Sequence, residues 1–302
     1  MRAIEVTRFG PPEVLEPRQR PEPTPTEGEV LIEVELAEVL FLDTQLRAGW
    51  GRDFFAVEPP FVPGVGVAGT IDGRRVIAGT SRSGAYSGGG YAELAAAPAD
   101  MVFDVPAGVR SADALAALHD GMMAFSRLGH TPVRPGDRAL VTAAAGGIGV
   151  WLVPLLRAAG ATVIAAARGA EKLELARSRG AHTTVDYSEP GWTDGLGELD
   201  IVFDGAGGDP GTAALAITAS GGRFHAYGAA SGDFPARRDD VEFFGIETPV
   251  DWRAATTRAL HALAEREVEP VIGQSVPLED AAAAHAAIAD RSVLGKTLLE
   301  VR

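Results

Sequence analysis

The sequence predicts an α/β protein in which a doubly wound parallel sheet is combined with a mainly β part. Three observations carry that prediction. Arg138 to Val153 reads as a strand, a tight glycine turn and a helix start; β-type and helical runs alternate from there to residue 227; and the residues up to 118 read as short strands broken by proline and glycine. A chain of 302 residues is long enough to bury two separate cores.

Glu29 to Leu36 alternates acidic and aliphatic side chains, the mark of a half-buried strand. Pro21-Glu22-Pro23-Thr24-Pro25 before it reads as a stiff connection, and Pro59 to Gly64 and Gly88 to Gly90 punctuate the segment after it. Ser111 to Leu128 is expected to form one helix. The alternating region predicts strands over 138–143, 161–167, 183–187, 199–204 and 222–227, with helices over 147–159, 171–179 and 211–219. Gly180 is the expected stop of the second of these helices, and Pro154 should delay the start of the first or kink it. An amphipathic helix from Asp251 to Glu267, an alanine-rich one from Leu278 to Asp290 and a strand from Lys296 to Val301 complete the chain.

The turn Ala143-Ala144-Ala145-Gly146-Gly147-Ile148-Gly149 is a candidate dinucleotide cradle. Without a Cβ the backbone can approach a diphosphate, and the N–H groups of the helix start face its charge. Ala144 stands at the first glycine position of the G-x-G-x-x-G pattern, with Gly146 and Gly149 at the second and third. A Rossmann-type unit of this kind contacts the adenosine ribose at the end of its next strand, where an acid would accept from the 2′-OH of NAD. Here that strand ends in Arg168, with Lys172 one helical turn on. Two cations suit a 2′-phosphate, so NADPH is the expected cofactor, favoured by about tenfold to several hundredfold. The alternative is a pair of solvated surface cations.

Composition narrows the function classes. A net charge of −14 with no basic stripe argues against nucleic acid as a partner. No apolar run reaches the ~20 residues of a membrane helix, and the opening MRAIEVTRFG lacks a signal-peptide core. No membrane segment and a cytoplasmic location are therefore expected. The absence of cysteine excludes disulfides, thiolate nucleophiles and cysteine-based metal sites. All six histidines (His119, His130, His182, His225, His261 and His285) lie beyond residue 118, so the N-terminal third cannot build a catalytic zinc centre. A metal-free site is expected.

Further landmarks accompany the glycine turn: Leu42-Asp43-Thr44 with Arg47-Ala48-Gly49, Pro63 to Gly69, Gly84-Ala85-Tyr86-Ser87 with Tyr91-Ala92-Glu93, Glu171-Lys172-Leu173 with Gly180-Ala181, Asp200 to Asp204, Gly221-Gly222-Arg223 with Tyr227-Gly228, and Gly295-Lys296. In order and spacing the chain resembles the zinc-independent quinone oxidoreductase branch of the medium-chain dehydrogenase/reductase superfamily. The resemblance implies a mainly β, GroES-like catalytic domain made of residues 1–118 and 246–302. An NADPH-binding Rossmann domain, 119–245, is expected between its two parts. By the same resemblance Ala145, Gly146, Gly147 and Ile148 line the pyrophosphate, and Arg168, Lys172 and Tyr187 surround the 2′-phosphate. Tyr227 and Gly228 lie near the nicotinamide half, where Met123 replaces a threonine usual in the family. Arg291 or Lys296 reaches towards the cofactor from the last segment. For Tyr187 a packing role, and for Lys296 a solvated surface position, stand as alternatives.

The chain departs from the family where substrate would be met. Leu40 replaces a frequent asparagine and Gln45 a frequent tyrosine, which makes the pocket more apolar on one side; Ser231 to Asp240 is shorter than the usual loop. The implied reaction is metal-free hydride transfer from NADPH to a quinone or α,β-unsaturated carbonyl, with Asp43, Gln45 and Tyr86 as the polar lining near the acceptor oxygen. Asp43 has the alternative of capping a turn. His119 beside Asp120 invites acid–base chemistry, but a packed histidine is the simpler expectation, and it stays outside the expected catalytic set. Tyr91 is expected to return to the core. The expected partners are a small-molecule carbonyl or quinone and a second copy in a homodimer. The competing class is a non-catalytic NADPH-binding or redox-sensing protein of the same fold; a zinc alcohol dehydrogenase lacks its ligands here.

Overall fold

The computed structural model describes residues 1–51, 55, 57–81 and 88–302, so Tyr86 and the rest of the Gly84 to Ser87 phrase lie outside the described residues. The chain opens with the antiparallel pair β1 (Arg2–Val6) and β2 (Leu15–Gln19). Next come β3 (Glu29–Val39), α1 (Phe41–Ala48), β4 (Gly66–Ile71), β5 (Arg74–Gly79), β6 (Leu94–Pro98) and β7 (Val102–Asp104). α2 (Ser111–Ala116) runs through a π-helical turn, Ala117–Gly121, into α3 (Met122–Gly129). The single helix expected there is thus interrupted by wider turns, a feature that often accompanies functional sites.

The middle of the chain alternates as expected: β8 (Arg138–Thr142), α4 (Gly149–Ala158), β9 (Thr162–Ala167), α5 (Ala170–Ser178), β10 (Thr183–Asp186), β11 (Leu199–Asp204), α6 (Gly208–Ala216), β12 (Thr218–Ala226) and β13 (Glu242–Phe244). It closes with α7 (Trp252–Ala264), β14 (Ile272–Pro277), α8 (Ala281–Ala289) and β15 (Lys296–Glu300). α4 begins at Gly149, later than the expected 147, and keeps Pro154 inside it. α6 stops at Ala216 rather than at 219 because Thr218 already pairs with Leu199 of β11. The short strands β13 and β14 have no signal in the sequence, the first for want of length and the second because its glycine, glutamine and serine read as a connection.

Contacts divide the chain into two compact units. The first comprises Met1–His119, Thr256–Arg266 and Val271–Arg302, and the second Asp120–Ala255 with Glu267–Pro270. Among the described residues the larger sheet of the first unit has the order β14-β15-β3-β4-β5-β7, with β6 also pairing β3. Its core gathers Ile4, Val6, Ile32, Val34, Ala37, Val39, Tyr91 and Leu299. Tyr91 returns to the core as expected. The register of β3 against β4 shifts between Val34 and Leu36. That bulge moves the core-facing positions from 32 and 34 to 37 and 39, and so turns Glu38 to the opposite face.

In the second unit the described strands form one sheet, β10-β9-β8-β11-β12-β13, with every neighbouring pair parallel. Counted from β8, this is the 3-2-1-4-5-6 order of dinucleotide-binding sheets. The α/β class and the Rossmann-type sheet predicted from the alternation are both present. Leu140, Ile164, Val202, Phe224 and Leu199 supply one layer of its aliphatic and aromatic core.

Candidate active site

The strand order of the second unit reverses between β8 and β11, and ligands of such sheets bind at the carboxyl ends of those strands. β8 ends at Thr142, and the glycine turn comes next. Gly146 N–H donates to Ala143 O at 2.9 Å, and Ala144 N–H to Ala166 O at 3.1 Å, so the turn is held against the end of β9. A Cβ on Gly149 would lie 2.6 Å from the carbonyl oxygen of Ala144 and 2.7 Å from that of Ala143. A Cβ on Gly147 would lie 2.4 Å from Asp120 Oδ2. Glycine is required at 149, where backbone carbonyls occupy the volume a side chain would need, whereas at 147 the neighbour is the Asp120 carboxyl, which would have to give way. The N–H groups of Val150, Trp151 and Leu152 already bond Gly146 O and Ile148 O, so the anion-binding end of α4 is formed by the amides before them, Gly147 to Gly149.

At the next strand end, Arg168 is exposed immediately after β9, and Lys172 sits half-buried in the first turn of α5. Gly169 adopts φ 83° and gives its N–H to Asp186 Oδ2 at 2.8 Å. Burial opposes ionisation of Asp186, but bonds from Ser188 and Gly169 and the charge of Arg168 hold its carboxyl below the usual range. Tyr187 N–H donates to Ala167 O at 3.2 Å, and its ring meets Trp192 edge-on at 6.5 Å. Parallel register, with Asp186 beside Ala167, is what brings Tyr187 to the same end as Arg168.

Tyr227 and Gly228 follow β12, and both amides donate to Asp204 O, at 2.9 and 3.2 Å. The Tyr227 ring lies over Gly205, where a Cβ would come within 2.7 Å of it, and its hydroxyl donates to Thr142 O at 3.4 Å. Burial, with Asp204 nearby, pushes the phenol above its ordinary range. Met123 lies half-buried in α3, with its sulfur accepting from Arg127 Nε at 3.3 Å; Arg127 Nη1 in turn donates to Gly245 O at 3.0 Å. The fold therefore gathers Ala145 to Ile148, Arg168, Lys172, Tyr187, Tyr227 and Gly228 along the carboxyl edge of a single sheet.

The remaining expected residues belong to the first unit. Asp43 is 1% exposed, and its Oδ2 accepts from Leu40 N–H at 2.7 Å, so it holds the start of α1. Burial, helped by the charge of Glu38, pushes its carboxyl up to about 7. Gln45 is half-buried on the same helix, and Arg291 follows α8 with φ 57°. Lys296, expected at the cofactor or in solvent, is 3% exposed with its Nζ on Glu38 Oε2. The other oxygen of Glu38 meets His119 Nδ1. Burial penalises the Glu38 charge, yet the His119 and Lys296 partners hold its carboxyl down to about 2. Sequence reasoning misses this cluster and the approach of Asp120 to Gly147, since bulge and π-turn both break the periodicities on which it relies. Among the described residues no group of three or more His, Asp or Glu is placed to hold a metal ion.

A family model described as zinc-binding dehydrogenase matches residues 147–261. A 2-haloacrylate reductase from Burkholderia is 32% identical, over 91% of this chain and 92% of its own. The quinone oxidoreductase from Thermus thermophilus, solved alone and with NADPH, is 34% identical, with a TM-score of 0.84 over the whole of both chains. The chain belongs to the quinone oxidoreductase branch of the medium-chain dehydrogenase/reductase superfamily. As a quinone oxidoreductase relative it carries the superfamily's two-domain α/β architecture. A mycobacterial protein solved with NADPH, 32% identical, superposes with a TM-score of 0.89 over the full length of both chains. Within this branch the chain is an oxidoreductase.

Proposed function

We propose that the chain uses NADPH to reduce a small conjugated acceptor, a quinone or an α,β-unsaturated carbonyl, without a metal. The observation that carries this reading is the glycine turn, whose Gly147 and Gly149 leave no room for a Cβ, ending beside an exposed Arg168 where an NAD-selective sheet would carry an acid. These residues fit the dinucleotide. Gly147 and Ile148 present backbone N–H groups to the diphosphate, with Gly146 and Ala145 lining it; Arg168 and Lys172 pair with the 2′-phosphate, and Tyr187 walls that pocket. Tyr227, Gly228 and Met123 stand on the side of the nicotinamide. NADPH supplies the hydride when bound. The protein's part is to hold the ring in one orientation, exclude water and meet the charge that develops on the acceptor oxygen.

Gln45 and Tyr86 remain the proposed polar groups near that oxygen, and Asp43 acts by fixing α1, the helix that carries Gln45. The activities named for the relatives, on quinones and on 2-haloacrylate, support the acceptor class. Turnover of NADPH and of NADH against a panel of simple quinones and enones tests the reading. Steady NADPH oxidation with at least one acceptor, and a clear preference over NADH, is the expected result; tight NADPH binding with no turnover on any of them would favour a sensing role instead.

A further inference from the structure

We infer that His119 is the acid that supplies the proton when a conjugated acceptor is reduced, and that Glu38, anchored by Lys296, is its positioning residue. The inference rests on the proposed NADPH-dependent reduction. Three separate elements converge to build the group: β3 brings Glu38, the π-turn brings His119 and β15 brings Lys296. The Glu38 carboxylate is fully buried, with one oxygen on the imidazole Nδ1 and the other on the Lys296 ammonium. Gly66 makes room for it, since a Cβ there would lie 1.9 Å from Glu38 Oε1. A buried carboxylate with a hydrogen-bonded histidine is costly unless it is paired, and Lys296 already provides the neutralising charge. Lys296 therefore keeps the Glu38 carboxylate paired when the imidazole has given up its proton.

His119 also keeps the exposure that a proton donor needs. Its side chain is 17% exposed, whereas His225 and His285 are fully buried and both held down to about 3, chiefly by burial. Nδ1 meets the buried carboxylate, so in the proposed reaction Nε2 carries the proton that is transferred. Its chain neighbour in the π-turn is Asp120, whose carboxylate lies against Gly147 of the glycine turn. Among the described residues, the charged groups facing the ring include Glu38 from β3, Lys296 from β15 and Asp43 from α1, with Asp120 next in the chain.

During reduction the β-carbon of the acceptor gains a hydride, and the C=C electron pair moves towards the carbonyl oxygen. The Nε2–H bond of the imidazolium breaks, its proton passes to the α-carbon, and the ring is left neutral with Nδ1–H still held by Glu38. Water then returns the proton to Nε2. A quinone differs because its product oxygens take protons directly from water.

The test compares wild type with His119→Gln and Glu38→Gln on one enone and one benzoquinone, from mildly acid to alkaline pH. NADPH binding by fluorescence serves as the check on folding. On the enone, His119→Gln is expected to lower kcat about 100-fold and to change the pH profile. Its quinone kcat and NADPH Kd should stay within about threefold, and Glu38→Gln should lose about tenfold on the enone. An enone kcat within about threefold of wild type, with the same pH profile, overturns the inference. Wild-type protein that turns over neither acceptor overturns the proposed function itself, which separates the two failures. Carbethoxylation of the cofactor-free protein, located by peptide mass spectrometry, is the readout independent of turnover. His119 should be labelled at Nε2 while His225 and His285 are spared; an unlabelled His119 removes the donor.

Discussion

The Thr142 hydroxyl donates to Asp204 Oδ1 at 2.5 Å, tying the carboxyl ends of β8 and β11 across the point where the strand order reverses. The same hydroxyl oxygen accepts the N–H groups of Gly205 and Ala206 at 3.1 Å each, and Asp204 accepts from Ala206 and Gly207 as well. Replacing Thr142 by valine keeps the shape and strips these buried groups of a partner. The expected loss is about 2–3 kcal/mol in urea unfolding, with NADPH binding weakened about tenfold by the loosened strand end.

The two tight glycines should fail differently. Gly149→Ala drives a Cβ into two backbone carbonyls, which cannot move without the turn, so thermal unfolding should shift down by several degrees. Gly147→Ala meets the Asp120 side chain instead. That variant should keep most of its stability but bind NADPH at least about tenfold more weakly, as measured by fluorescence titration.

Arg168→Asp reverses the charge beside the proposed 2′-phosphate position. NADPH binding is expected to weaken by about tenfold to a hundredfold, while NADH is affected by less than about threefold. An unchanged ratio of the two cofactors' kcat/KM would show that the phosphate is held elsewhere.

Asp43 makes stability depend on pH. Burial raises its carboxyl from 3.8 to about 7 in the folded chain, so the folded state holds the proton more tightly than the unfolded one. The resulting stabilisation is full below about pH 4 and is lost as pH rises through about 7. Asparagine at 43 keeps an acceptor for Leu40 N–H and does not titrate. Asp43→Asn should therefore exceed wild type in stability at alkaline pH by about 2–4 kcal/mol and lose that advantage in acid, which calorimetry at two pH values will read.

The cradle is legible in the sequence because local rules govern it: glycine spacing, a strand before and a helix after. Arg168 and Tyr187 are legible too, through the parallel alternation that sets their strands side by side. The Glu38 cluster is not. The acid–aliphatic alternation stops at Leu36, and a period of two through an unbroken strand would keep Glu38 on the face of Val34. Lys296 looks like a lone surface cation for a related reason, since its partner is distant in the chain and enters the same site only through the antiparallel pairing of β15 with β3, which sets Leu298 opposite Glu38. The role of Asp43 at a helix start is visible from spacing, but its burial depends on tertiary packing that spacing does not encode.

The bulge in β3 has a bearing on how this scaffold tolerates editing. Removing one residue just after the bulge, Ala37, would swing the carboxylate in among the aliphatic companions of Ile32 and Val34 and leave the ammonium of the last strand facing a methyl group. Deletions there should abolish the yield of folded material, whereas deletions of equal length in the proline-rich connection before Glu29 should be borne with little change.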